Sequence, residues 1–102
     1  MSDIEQARQA LLKRILEGAG RSSVSERRAA FDNLDLATPL DALIHKIAMH
    51  AHRITDEDIN VAKRAGFSED KIFEIAVCAA VGEASRQHDT ARAALEAAAG
   101  KD

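Results

Sequence analysis

The sequence predicts an all-α fold, a small bundle of about five helices in a single domain of 102 residues. Apolar residues recur at helical spacing in several segments, and no segment shows the alternation that indicates a half-buried strand. Capping residues and glycine stops recur at the ends of the helical segments. A chain of this length buries roughly 60–70% of its unfolded surface, which is enough for one core.

The first helix is predicted over about residues 3–17. Ser2 and Glu5 have the spacing of a capping box, in which two backbone N–H groups at a helix start find acceptors. Gly18 and Gly20 then end the helix. The helical spacing comes from Ile4, Ala7, Leu11, Leu12, Ile15 and Leu16.

A short second helix is predicted to end at Phe31. Ser23 with Glu26, or Ser25 alone, supplies its N-cap. Residues 32–37 then form a connector that contains the turn-forming residues Asp and Asn.

The third helix is predicted to begin at Thr38 and Pro39, where an N-cap residue precedes a proline at the first helical position. An apolar stripe at i, i+3, i+4 and i+7 spacing predicts that this helix continues to Ile54. The stripe consists of Leu40, Leu43, Ile44, Ile47, Ala48, Ala51 and Ile54.

Two further helices are predicted in the second half of the chain. Thr55 caps the fourth helix and Gly66 stops it. Ser68 caps the fifth helix, which is predicted to continue past Gly82 to about Ala98. Since glycine in a helix interior is costly, Gly82 indicates a place where another helix packs closely.

Residues 72–81 of the fifth helix are all apolar except Glu74. A helix that is apolar on nearly all sides is normally buried on nearly all sides. We therefore expect this segment to pass through the centre of the fold.

The composition argues against several functional classes. The net charge is −3 and no basic residues cluster, which argues against nucleic-acid binding. The longest apolar run, residues 75–81, is far shorter than the ~20 residues of a membrane helix. The acidic start shows no secretory signal and a single cysteine cannot form an internal disulfide, so we expect a cytoplasmic protein. No metal and no cofactor is expected.

Residues 62–72, with the sequence AKRAGFSEDKI, precede an Ala- and Val-rich helix and follow the segment HRITDEDI. This order resembles the carboxymuconolactone decarboxylase family, which includes the alkylhydroperoxidase D-like proteins. The resemblance covers roughly residues 38–95. It implies an alkylhydroperoxidase D-like helical domain over residues 1–102, in which 38–98 is the family-like unit and 1–37 an N-terminal helical extension. It also implies a homo-oligomer, a dimer or larger. We expect the contacts to lie on the Ala-rich fifth helix and on the first helix.

The redox branch of that family carries a Cys-x-x-Cys pair with a histidine four residues later. When the glycine of the motif is placed on Gly66, the two cysteines fall on Ala51 and Ile54, and the histidine falls on Asp58. Peroxide reduction of that kind needs one thiolate to attack and a second thiol to resolve. We therefore expect no cysteine-pair peroxidase activity.

Three residues are candidates for catalysis: His45, His52 and Glu74. On one helix the two histidines share a face but lie about 10 Å apart along the axis, too far for one metal ion. In a pocket, Glu74 would have a raised pKa and would exchange protons together with a histidine. Alternatively, the histidines lie on the surface, and Glu74 occupies an exposed strip or pairs with Lys71. Cys78 is expected to be an inert, buried thiol.

Three functions remain open. The first is a non-catalytic or accessory relative of the family without thiol redox chemistry. The second is a cofactor-free enzyme, similar to a decarboxylase or isomerase, that acts on a small carboxylated or lactone-like molecule. The third is a structural helical module for protein interaction.

Overall fold

The structure, a computed structural model, describes residues 3–34 and 36–100. In these ranges it contains α-helices and one 3-10 turn but no strand, which confirms the all-α prediction. The elements are α1 (Asp3–Glu17), α2 (Val24–Phe31), α3 (Leu40–His50), the 3-10 turn (Ala51–Arg53), α4 (Asp56–Arg64) and α5 (Glu69–Ala99). Ser2, part of the predicted capping box of α1, lies outside the described residues.

Local caps set three of the helix starts, as predicted. Ser23 and Glu26 form the capping box of α2, and Thr55 forms one with Asp58 at the start of α4. The Ser68 hydroxyl accepts a hydrogen bond from the third residue of α5. Gly66 has a φ of 103°, a left-handed conformation that ends α4 and that residues with a side chain rarely adopt.

The predicted bounds of α3 are wrong at both ends. Pro39, not Thr38, occupies the N-cap position, and the backbone leaves the helix at His50, whose φ is −147°. His52 therefore lies in the 3-10 turn and not on α3. Ile54 fits the apolar spacing because it packs against the core, but it does so as the residue that directly follows the 3-10 turn. Its burial therefore does not require α3 to continue.

The core lies where α2 and α3 pack against α5. One buried cluster joins four helices and consists of Leu16, Ala30, Ile44, Ile75, Cys78 and Ala79. A second cluster lies towards α4 and consists of Leu40, Leu43, Ala62 and Ile72. Since Leu16 and Ala30 belong to the first cluster, residues before position 38 form part of the same core.

Gly82 is the point of closest approach between α5 and α2, which confirms the predicted packing role. A Cβ atom built on Gly82 would lie 1.9 Å from the backbone oxygen of Phe31. The same oxygen accepts a hydrogen bond of 2.6 Å from Nη1 of Arg86, one turn later on α5. The end of α2 is thus held against α5 by a close backbone contact and by a charged donor.

The prediction that residues 72–81 are buried on nearly all sides is wrong. Ile75, Cys78 and Ala79 are buried, but Phe73 is 70% exposed and Ala80 is also exposed. The reason is that α2 and α3 both pack on the same side of α5. Residues 87–99 are exposed on every side, and the molecule measures 56 × 28 × 20 Å. None of the described helices combines the length and apolar composition that crossing a membrane requires.

Candidate functional site

Glu74 holds the loop between α1 and α2. Its two carboxylate oxygens accept hydrogen bonds from the backbone N–H of Arg21 at 2.9 and 2.8 Å, and one also accepts from the N–H of Ser22 at 2.8 Å. A Cβ atom on Gly20 would lie 2.9 Å from this carboxylate. Gly20 thus lets the loop backbone approach the carboxylate closely.

The raised pKa expected for Glu74 as a catalytic pocket carboxylate is wrong in direction. Desolvation by itself would raise this pKa, but the hydrogen bonds from Arg21 and Ser22 and the positive charge of Arg27 outweigh it. The pKa of Glu74 therefore lies below its ordinary value, and the group is ionised at neutral pH. Lys71, the alternative partner, pairs with Glu26 at 2.8 Å instead.

Glu74 also lines a groove of about 200 Å³ between α1 and α5, which we call the Glu74 groove. Its other polar residues are Arg14 and Arg27, and Cys78 lies among its lining residues. Arg27 is only 6% exposed: its Nη1 donates to the backbone oxygen of Ile15 at 3.1 Å, while its Nε is buried without a hydrogen-bond partner among the described residues. The groove therefore combines two guanidinium groups with one carboxylate that is already hydrogen-bonded.

Cys78 lies in surroundings that disfavour its thiolate. It is 1% exposed, and its sulfur lies 4.0 Å from the backbone oxygen of Ile15. Burial raises the pKa of the thiol because it disfavours the thiolate, and the lowering effect of Arg27 does not reverse this. The prediction that Cys78 is buried is confirmed, and its lack of reactivity stays a prediction.

The histidines do not share the groove with Glu74. His45 is exposed on α3, and His52 is exposed in the 3-10 turn, with its ring 6.2 Å from that of His50. Neither His45 nor His52 lines the Glu74 groove. The structure of one chain thus does not bring the three candidates together there, and their catalytic role stays a prediction. Within residues 3–34 and 36–100, no group of three acidic, histidine or cysteine side chains could hold a metal ion.

Sequence reasoning missed Arg27, the most buried charged residue of the groove. A signal was present, because Arg27 lies three residues before Ala30 and therefore faces the same side of α2 as that buried residue. Sequence reasoning also missed the hydrogen bonds between the loop after Gly20 and Glu74, since nothing in the local sequence identifies Glu74 as the acceptor for the loop's N–H groups.

A second candidate site is a strip of residues on the solvent side of α5 that is apolar except for Gln87. We call it the α5 stripe. Its members repeat at alternating intervals of four and three residues: Phe73, Val77, Ala80, Ala84, Gln87, Ala91, Ala94 and Ala98. All are exposed except Val77, which is half-buried. The buried side of α5, with Ile75, Cys78 and Gly82, points the opposite way.

The charges of the second half of α5 avoid this stripe. Asp89, Arg92 and Glu96 project from the other side of the helix, where Arg92 pairs with Glu96 at 3.1 Å. Asp89 reaches Arg8 of α1 at 3.7 Å, so that α1 lies beside α5. Leu11 and Ile4 of α1 are also solvent-exposed apolar residues. Together the two helices present an apolar surface that no described residue covers.

Comparison of the chain with protein-family models, with curated proteins and with solved structures gives no significant match.

Proposed function

We propose that this protein is a homo-oligomeric helical protein, related to the carboxymuconolactone decarboxylase and alkylhydroperoxidase D-like proteins, that works without cysteine-pair peroxidase chemistry. Its role is accessory: it acts by assembling through α5 and α1. The observation that carries this proposal is the uncovered α5 stripe, which extends over residues 73–98 of a 31-residue helix.

Two features support the absence of thiol chemistry. The single cysteine is buried and its pKa is raised, so the thiolate that attacks a peroxide is disfavoured. The positions that correspond to the reactive pair carry Ala51 and Ile54, which have no sulfur. A buried thiol without a resolving partner cannot complete a disulfide cycle.

A hydroperoxide assay tests this part of the proposal. The wild-type protein, supplied with an organic hydroperoxide and a dithiol reductant, is expected to show no turnover above buffer. The Cys78→Ala variant is the matched control, because it removes the only sulfur that a cysteine mechanism could use. Turnover by the wild type that disappears in the variant would overturn the proposal.

The exposed apolar surface supports assembly. Phe73 is 70% exposed and Leu95 is 72% exposed, although side chains of this kind normally lie in a core. Contiguous apolar patches on a small protein mark interaction surfaces. Most soluble oligomers consist of identical chains related by closed symmetry, and a second copy is therefore the natural partner.

Sedimentation equilibrium with two matched variants tests assembly. The wild type is expected to associate, and Ala91→Glu is expected to shift it to monomer because the new charge lies within the α5 stripe. Ala93→Glu places the same charge two residues later on the other side of the helix and is expected to associate like the wild type. A wild type that stays monomeric at high concentration would refute the proposal.

A cofactor-free enzyme that acts on a small carboxylated molecule is the second candidate function, and the Glu74 groove is the observation that favours it. Arg14 and Arg27 line the groove and could hold the carboxylate of a small molecule. Glu74 is ionised, and it could accept a proton from the ligand only if the backbone N–H groups of Arg21 and Ser22 moved away from its carboxylate. A volume of about 200 Å³ is smaller than most ligand pockets. The ligand would therefore be a small carboxylate, with His45 or His52 contributed by another subunit.

Titration of the protein with small mono- and dicarboxylates, followed by NMR chemical shifts, tests this reading. Shifts are expected at residues around the groove, and Arg14→Gln is expected to reduce them. Arg28→Gln is the matched control, because Arg28 is an exposed arginine that pairs with Glu17 outside the groove. Absence of shifts at millimolar ligand would exclude the enzyme reading.

A further inference from the structure

We infer that two copies of the chain pair their α5 helices in antiparallel orientation, about a two-fold axis at the level of residues 85 and 86. This inference rests on the proposed self-association and adds the orientation and the register of the two helices. The partner is a second copy of this chain, and the contact surface is the α5 stripe.

The spacing of the α5 stripe is that of a helix-pairing seam. Apolar residues that alternate at intervals of four and three stay on one face of a helix and pack into the spaces of a partner helix. The seam continues over residues 73–98, almost the full length of α5. In the first half of α5 the core packs on the opposite face, so the partner would meet no obstacle from the core.

The distribution of side-chain size along the seam favours antiparallel pairing. The two bulky residues of the stripe, Phe73 and Val77, lie at one end, and the other end contains alanines, with Leu95 beside Ala94 at the edge of the stripe. An antiparallel pair places Phe73 opposite Ala98 and Val77 opposite Ala94 of the second copy. Each layer then contains at most one bulky side chain, and the two helix axes can keep one constant separation.

A parallel pair would distribute the same residues poorly. Phe73 and Val77 would each face their own copies at one end, while alanine would face alanine at the other. The helices would have to diverge at the bulky end, and the alanine layers would then lose contact, because a small gap forfeits much of the dispersion energy. Gln87 would also face a second Gln87, whereas the antiparallel register places it opposite Ala84.

The available area is sufficient for a stable dimer. Residues 73–98 span about 38 Å at 1.5 Å per residue, on a helix about 10 Å wide, and the 15 residues of α1 add a strip about 22 Å long beside part of it. Together these strips give about 600 Å² on each chain, at the lower end of the ~600–1,000 Å² per partner of a standard interface. Leu11 of α1 lines a groove with Ala84 and His88, near the level of the two-fold axis, and adds apolar surface there.

Cysteine cross-linking tests both orientation and register. Ala80→Cys and Ala91→Cys are made as separate single variants. Each is made in the wild-type background, because Cys78 is too buried to react, and again in a Cys78→Ala background. In the antiparallel register, position 80 of one chain lies opposite position 91 of the other. Position 80 lies about 16 Å along the axis from its own copy, beyond the reach of a disulfide.

Mixing the two single variants is expected to give about tenfold more disulfide-linked dimer than oxidation of either variant alone, because only the mixture places two thiols within bonding distance. Ala93→Cys replaces Ala91→Cys as the matched control and is expected to give no cross-link with Ala80→Cys. Non-reducing gels and mass spectrometry identify the linked pair.

The outcomes separate this inference from the proposed function. Efficient cross-linking of Ala80→Cys with itself would overturn the antiparallel arrangement and leave self-association through α5 intact. A dimer by sedimentation that forms none of these cross-links would overturn the α5 seam as the interface. A wild type that is monomeric at all concentrations would overturn both the inference and the proposed assembly.

Discussion

The two halves of α5 have similar alanine-rich composition but different surroundings. Residues 69–86 bury one face against α2 and α3, including Ile75 and Cys78, whereas residues 87–99 are exposed on all sides. The first half is therefore stabilised by tertiary packing. The second half is helical because alanine has the highest helix propensity and because side chains such as Arg92 and Glu96 pair along the helix.

The difference shows that composition does not decide burial. A run of alanines close to Gly82 packs against another helix, and a similar run ten residues later does not. What differs is a helix packed closely enough to bury a face of α5: α2 and α3 do so in the first half, whereas in the second half Arg8 of α1 only reaches Asp89. The following substitutions, taken in pairs across the two halves, test how far this contrast holds.

The largest expected difference is between Ile75→Ala and Leu95→Ala. Ile75 is fully buried, and its truncation is expected to reduce the free energy of unfolding by about 3 kcal/mol through lost burial and the resulting cavity. Leu95 is mostly exposed, and its truncation is expected to change stability by less than about 0.5 kcal/mol. Urea denaturation at a low protein concentration measures both, and equal costs would contradict the contrast.

The next pair exchanges glycine and alanine in opposite directions. Gly82→Ala is expected to destabilise by about 2 kcal/mol, because the new methyl group would collide with the backbone of Phe31. Ala93→Gly is expected to cost about 1 kcal/mol through helix propensity alone. If Gly82→Ala stabilised the protein, as the substitution does in an exposed helix, the close packing of α2 on α5 would be wrong. Thermal unfolding followed by circular dichroism gives the comparison.

Glu74→Gln tests the loop anchor, with Glu96→Gln as its control in the second half. Loss of the charged acceptor for Arg21 and Ser22 is expected to cost about 1–2 kcal/mol at pH 7. Glu96 is exposed, and its side chain pairs with Arg92 in the described part of the chain, so its change is expected to cost about 0.3 kcal/mol. Denaturation at pH 7 distinguishes the two.

The stability lost in Glu74→Gln depends on pH in a known direction. The pKa of Glu74 is lowered in the folded state, so its contribution is fully present above the ordinary value of 4.5. The contribution is lost as the pH falls from that value through the folded-state pKa. The difference in the free energy of unfolding between wild type and Glu74→Gln is therefore expected to shrink as the pH is lowered from about 5. A difference that grows on acidification would contradict the hydrogen bonds assigned to Glu74.

The smallest expected effect is that of Arg92→Ala. Breaking its pair with Glu96 is expected to lower the free energy of unfolding by only about 0.3 kcal/mol, since both groups are exposed. Its measurable consequence is fraying of residues 87–99, seen as faster amide hydrogen exchange there while residues 72–86 stay protected. Uniform acceleration along all of α5 would mean that the two halves unfold together.

Local signals predicted the helices where the determining contacts are local. Ser23, Thr55 and Ser68 cap helices through hydrogen bonds to residues three positions later, and Gly66 ends α4 through its own backbone conformation. The same reasoning wrongly placed His52 on α3, because half-buried Ile54 fits the helical spacing, whereas a 3-10 turn buries it equally well. Apolar periodicity indicates burial and does not by itself distinguish a helix from a turn.

By itself the sequence determined the helix count and order, most boundaries, the burial of Cys78 and the close packing at Gly82. These properties depend on residues that are near one another along the chain or on the absence of a side chain. Only the tertiary structure decided which face of α5 is covered and what Glu74 binds. The reason is physical: the N–H groups that hold Glu74 lie 52 and 53 positions away in the chain, and that loop reaches the carboxylate only after α1 and α2 pack beside α5.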